Sequence, residues 1–224
     1  MTGFALKLIA AVTMLIDHTG HVIFPGVMWL RYIGRLSFPI YCFLLVEGFF
    51  HTRDLKRYML RLFIFAVISE MPFDLATCDA VFTLEHQNVF WTLLLGLMAI
   101  SAMDLIKHES LYLRMLLQAA VLLPFAVTAQ LIHSDYRWVG VCLIASMYLF
   151  RDLEPMRVAT GAFLMLPFFT NEIEYVGVLA YLPMHFYNGR QGGSGSRIQK
   201  LGFYIFYPVH LLTLVFIRDK LWNW

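Results

Sequence analysis

The residues able to carry chemistry in this chain lie inside apolar runs, where each is costly. The first run, 4–24, holds Asp17, His18 and His21. A charge at the centre of a membrane-spanning helix costs about 2.5–3.5 kcal/mol on insertion scales. Asp17 and His21 are four residues apart and share a helical face, and His18 and His21, three apart, are neighbours too. The second run opens with Arg31 and Arg35 and carries Glu47 further along. Glu70 and Asp74 close the third, Asn88 opens the fourth, Asp135 and Tyr136 open the sixth, and His210 lies midway along the last. Two readings fit these residues. In the plain one, Asp17 and Arg35 form an ion pair that ties two helices together. In the other they belong to a buried reaction site. A histidine beside a carboxylate can act as a general base, the carboxylate fixing its tautomer and stabilising the imidazolium. An arginine nearby stabilises developing negative charge. The spacing of His18 and His21 suits zinc, but no third ligand stands at a typical distance, and no metal is expected.

The elements that position these residues follow from composition. Of 224 residues, 60% are hydrophobic and 14% charged, too few polar groups to cover a soluble surface. The expected fold is all-α, one transmembrane helix bundle over residues 1–224. Apolar runs place helices near 4–24, 31–50, 56–77, 88–107, 110–133, 136–151, 156–171, 174–188 and 201–218, about nine, with a range of seven to nine. The first five suffice for a hydrocarbon core of roughly 30 Å. The run 138–150 covers only about 20 Å and spans if Arg137 and Arg151 snorkel at its ends. The next two are also short. The first run has no small-residue cleavage site after it and carries Asp17 and His18, so it reads as a retained helix, not a signal peptide. Cys42, Cys78 and Cys142 have no framework spacing and read as packing residues.

Loop charges set the expected topology. Arg53, Lys56, Arg57 and Arg61 follow the second helix, Lys107 and Arg114 the fourth, Arg151 and Arg157 the sixth, and Arg190, Arg197 and Lys200 the eighth. The alternate links are poor in lysine and arginine: Asp74, Asp79 and Glu85 stand in one, Asn171, Glu172 and Glu174 in another. Basic loops stay cytoplasmic, so the N-terminus is expected in the cytoplasm and the C-terminus outside. Asp17, His18, Arg31, Arg35, Glu70, Asp74, Asn88, Asp135 and Tyr136 then fall at one depth towards the external face. The segment 188–197 is rich in glycine and serine and reads as a plain linker, since it carries no Walker or dinucleotide pattern. A net charge of +2, with no exposed basic patch among aromatics, gives no reason to expect a nucleic-acid partner.

Ordered blocks along the chain resemble the TraX family of membrane proteins. They run LKLIAAVTMLIDHTG around Lys7, Asp17 and His18; LRYIGRLSFPIYCFLLVEGF from Leu30 to Phe49; AVISEMPFDLA from Ala66; QNVFWTLLLGL from Gln87; SDYRWVGVCLI from Ser134; and YNGRQG and FYIFYPVHLL towards the end.

This resemblance implies acyl transfer in a multi-pass protein of the bacterial inner membrane. The family's namesake is associated with acetylation of pilin. The family is also similar to transmembrane acyltransferases that modify surface glycans and heparan sulfate with cytoplasmic acyl-CoA. Carried over, it makes His18 the catalytic histidine, Asp17 its partner and Arg35 a site arginine, with Asp135, Tyr136 and His210 lining the site. His21, Glu70, Asp74 and Asn88 are further candidates for binding the substrate. Acetyl-CoA is the implied donor, docking against Arg53, Lys56, Arg57, Arg190 and Arg197. The expected partners are the lipid bilayer, acyl-CoA and an acceptor protein or glycan, and a second copy of the chain is allowed. A proton-coupled transporter and a non-catalytic assembly factor are the rival classes. The first is disfavoured because no internal repeat is visible.

Overall fold

A computed structural model describes residues 1–170, 172–193 and 196–222, with Arg197, Lys200 and Trp222 described by backbone alone. Asn171 and the linker residues Ser194 and Gly195 lie outside the described residues. The described chain is all-helical. In order come α1 (Gly3–Val22), α2 (Met28–Gly34), α3 (Ser37–His51), α4 (Leu55–Thr77), α5 (Val89–Asp104), α6 (Leu111–Leu131), α7 (Arg137–Leu149) and α8 (Glu154–Leu164). A 3-10 helix (Glu174–Ala180) runs straight into α9 (Tyr181–His185), and α10 (Arg197–Trp222) closes the chain. With α2 and α3 read as one stretch and the 3-10 helix and α9 as another, the described residues form nine helical rods, as the apolar runs predict.

The helix starts are written locally. Thr2, Asp54, Asn88 and Ser110 each stand one residue before a helix and accept a hydrogen bond from a backbone N–H of its first turn. Among the described residues, four stretches are long and apolar enough to cross a membrane: Gly3–Val22, Met28–His51, Leu111–Leu131 and Leu201–Leu221. Helix α5 has only 16 residues, about 24 Å at 1.5 Å per residue, and falls short of the span expected for it. Helix α7, with 13 residues, is short as its apolar run implies. Arg151 beyond it does not simply reach outward: its Nε donates to Glu47 at 2.9 Å and its guanidinium lies 4.2 Å from the Phe50 ring. That pairing neutralises a glutamate only 8% exposed.

Neighbour relations close a ring of six helices, α1, α10, α4, α5, α7, α3 and back to α1. Helix α6 leans on α5 and α7 from outside, and only Gln118, Ala126 and Ala129 of it are buried. Leu111, Leu123 and Leu131 face outward bare. A helix apolar on all sides and left uncovered is suited to lipid, not to water.

The glycine-rich segment does more than link helices. Gly3 and Phe4 at the start of α1 donate their N–H groups to the carbonyls of Arg190 and Gln191, each at 2.8 Å, and Asn188 N–H donates to Met1 O at 2.9 Å. The first N–H groups of a helix have no partner within it, and here a neighbouring backbone satisfies two of them. Gly192, at φ +65°, rests against the Thr2 side chain, so the strap follows a path that L side chains rarely adopt.

Candidate functional site

The six-helix ring encloses a cavity of about 290 Å³. Its lining runs from Lys7 to His18 on α1, eleven residues and so roughly 16 Å along the helix axis. A small volume over that length makes a narrow passage. One end gathers Lys7, His51, Thr52, Arg61 and Gln191, from the start of α1, the end of α3, the start of α4 and the strap. The other end gathers Asp17, His18, Gly34, Arg35, Asp135 and Tyr136. Between them the wall is aromatic and aliphatic, with Tyr41, Leu44, Tyr58, Leu93 and Tyr204. The hydroxyl of Tyr41 is buried without a hydrogen-bond partner among the described residues.

At the Asp17 end, the break between α2 and α3 leaves only Arg35 and Leu36 outside helix and turns Arg35 inward. Arg35 is 7% exposed, and its Nη2 donates to both carboxylate oxygens of Asp17 at 2.6 Å. Its Nη1 donates to Glu174, at the head of the 3-10 helix. Arg31, one turn earlier, donates to Asp17 Oδ2 at 3.0 Å and to the Asp17 carbonyl at 3.3 Å. Two guanidinium groups therefore face two carboxylates, and the buried charges cancel. The Nε–H of Arg35 has no partner among the described residues. Gly34 is what lets α2 approach: a Cβ there would stand 2.1 Å from the Cβ of Asp17.

The ring of His18 is engaged elsewhere. Its Nδ1 lies 2.6 Å from Nε2 of His210 on α10, and His210 Nδ1 lies 2.7 Å from the carbonyl oxygen of Phe206. The Asp17 carboxylate bonds to Arg31 and Arg35, so the pairing of Asp17 with His18 drawn from sequence gives way to two separate networks.

Asp135 and Tyr136 arrive on the turn before α7, beside Arg137. Tyr136 and Arg137 have φ of +61° and +46°, uncommon for residues with a Cβ. The turn is tied down by Asp135 N–H donating to Gln87 O at 2.8 Å and by the Thr92 hydroxyl donating to the Asp135 carbonyl. Tyr136 lies parallel to Phe38, with ring centroids 3.6 Å apart.

The remaining sequence candidates fall outside the passage. Glu70 Oε1 accepts from the Asn88 side chain at 2.6 Å and from the Trp91 indole at 2.5 Å, while Asp74 Oδ2 accepts from Thr83 N–H at 2.9 Å. These residues fasten α4 to α5 and hold the loop between them. His21 is exposed and does not line the cavity. Arg57 pairs with Asp54 at 2.9 Å, Arg53 and Arg190 are exposed away from the lining, and the Arg197 side chain lies outside the described residues. Lys7 and Arg61 supply the cations at that end of the passage, and Glu174 supplies the second carboxylate. In sequence Arg61 looks like an ordinary topology signal, Lys7 is one residue of the first family block, and Glu174 looks like one more acidic loop residue.

No solved structure matches the chain. The chain is similar to the Probable fimbrial assembly protein FimC of Dichelobacter nodosus, 31% identical, with 95% of this chain and 94% of that protein covered. The family model described as TraX protein matches residues 2–218, and the chain accordingly belongs to the TraX family.

Proposed function

We propose that the protein is a membrane-embedded acyltransferase that moves an acetyl group from cytoplasmic acetyl-CoA to an amine or hydroxyl of an external or membrane-borne acceptor. The observation that carries this reading is a passage with cations at one end and His18 and Arg35 at the other. Lys7 and Arg61 suit the phosphates of a coenzyme A donor at the cytoplasmic face. A thin, flexible thioester arm fits a narrow passage with aromatic walls. This assignment puts the N-terminus in the cytoplasm and the protein in the bacterial inner membrane.

At the far end His18 takes a proton from the acceptor, whose nitrogen or oxygen then attacks the thioester carbonyl. Arg35, which lines that end of the passage, is the cation nearest to where the carbonyl oxygen becomes negative. Collapse breaks the C–S bond, and the thiolate leaves with the proton held by His18. Purified protein given labelled acetyl-CoA should transfer label to an acceptor, and His18→Ala should reduce the rate by about 10²–10⁴-fold. Unchanged transfer in that variant would remove His18 from the reaction.

The name of the Dichelobacter nodosus relative favours a second reading, a non-catalytic factor in fimbrial assembly. That reading expects a stable complex with a fimbrial component and no acyl transfer.

A further inference from the structure

We infer that His210 is the positioning residue for His18, through a hydrogen-bond chain that starts at a backbone carbonyl of α10 and fixes the His18 tautomer. The inference rests on the acyltransferase reading for its consequence, but not for its geometry. A carbonyl oxygen only accepts, so the contact of 2.7 Å between His210 Nδ1 and Phe206 O requires the proton on His210 Nδ1. Neutral His210 then has a bare Nε2. That atom lies 2.6 Å from His18 Nδ1, so the shared proton belongs to His18 Nδ1. The lone pair of His18 is left on Nε2, and His18 is the member of the pair that lines the passage.

The ring geometry agrees. The two imidazoles are 15° from coplanar with centroids 4.9 Å apart, and their facing nitrogens are much closer than that. The rings therefore meet edge to edge in nearly one plane, as a linear N–H···N bond requires. Phe206 stacks on His210 at 4.6 Å and 15°, and His210 is 5% exposed, so its ring is held from the side and shielded. The part an acidic side chain plays in many histidine bases is taken here by a neutral imidazole and a main-chain carbonyl. When His18 takes a proton on Nε2, its Nδ1–H still points at His210, and the charge is met by the lone pair of a second ring. This frees Asp17 to hold the two arginines.

The test is histidine-selective ¹⁵N labelling of the purified protein, with tautomers read from one- and two-bond N–H couplings. Wild type should show both His18 and His210 as Nδ1–H. His210→Phe removes the acceptor and should move His18 to Nε2–H and slow acetyl transfer by about 10²-fold. His210→Gln keeps an acceptor oxygen and should restore most of both signals. A wild-type His18 found as Nε2–H overturns the inference, however the variants fold. Wild-type tautomers as stated, with no acetyl transfer under any condition, would instead overturn the acyltransferase reading and leave the hydrogen-bond chain standing.

Discussion

Arg35 is the residue on which most of the buried charge depends. Its two Nη groups point to Asp17 and Glu174, and a lysine has one ammonium to offer where the fork has two arms. Arg35→Lys should therefore lose stability and transfer together. Asp17→Asn should leave Arg31 and Arg35 facing Glu174 alone and lower stability by about 3–5 kcal/mol, the usual result of stripping one partner from a buried pair. Thermal unfolding in detergent checks this. His18→Ala should cost less, about 1–3 kcal/mol, for the buried His210 Nε2 it leaves unpaired. An Asp17→Asn protein as stable as wild type would mean that the clamp is dispensable. These roles were only half legible in sequence. Residue spacing shows which side chains share a face of one helix, so Asp17, His18 and His21 were found. It does not show which neighbouring helix meets that face, and the partners of Asp17, Arg31 and Arg35, lie on α2 and just beyond it.

Two close approaches hold the elements together, and both turn on glycine. Gly34 lets α2 lie against α1 over Asp17, where an alanine Cβ would stand 2.2 Å from Asp17 Oδ1. Gly34→Ala should cost about 1–3 kcal/mol by overpacking and should also reduce transfer, since the displaced group is the one that anchors Arg35. Gly192, at φ +65° with Thr2 at 2.5 Å from a built Cβ, holds the strap on the start of α1. Gly192→Ala should loosen residues 186–192, read as faster hydrogen exchange at the Gly3 and Phe4 amides. Exchange unchanged at those amides would dissociate the strap from the helix start. The helices themselves were legible, to within a few residues at most ends, because long apolar runs and their capping residues are local signals. The strap was not, because a run of glycines and serines looks the same whether it hangs free or lies along a backbone.

Over the whole molecule, six helices in a ring make one passage with unlike ends, and this order of helices was beyond the reach of the sequence. Most apolar residues here face either lipid or another helix, and hydropathy does not separate the two. For the same reason Arg61 looks in sequence like a topology signal, although it stands with Lys7 at an end of the passage. That placement makes a prediction for the donor. Arg61→Glu should raise KM for acetyl-CoA several-fold with little change in kcat, and should leave a short acetyl thioester without phosphates unaffected. An equal effect on both donors would take Arg61 out of phosphate binding. On the proposed function, an acetyl group enters at one face and is used at the other through His18. The most direct measurement is label transfer in proteoliposomes of fixed orientation, with labelled acetyl-CoA supplied only on the Lys7 side and an amine or hydroxyl acceptor only on the opposite side. Wild-type protein should label the acceptor, and His18→Ala should lower that label about 10²–10⁴-fold. Absence of labelled acceptor with folded wild-type protein, or equal label with His18→Ala, would contradict it.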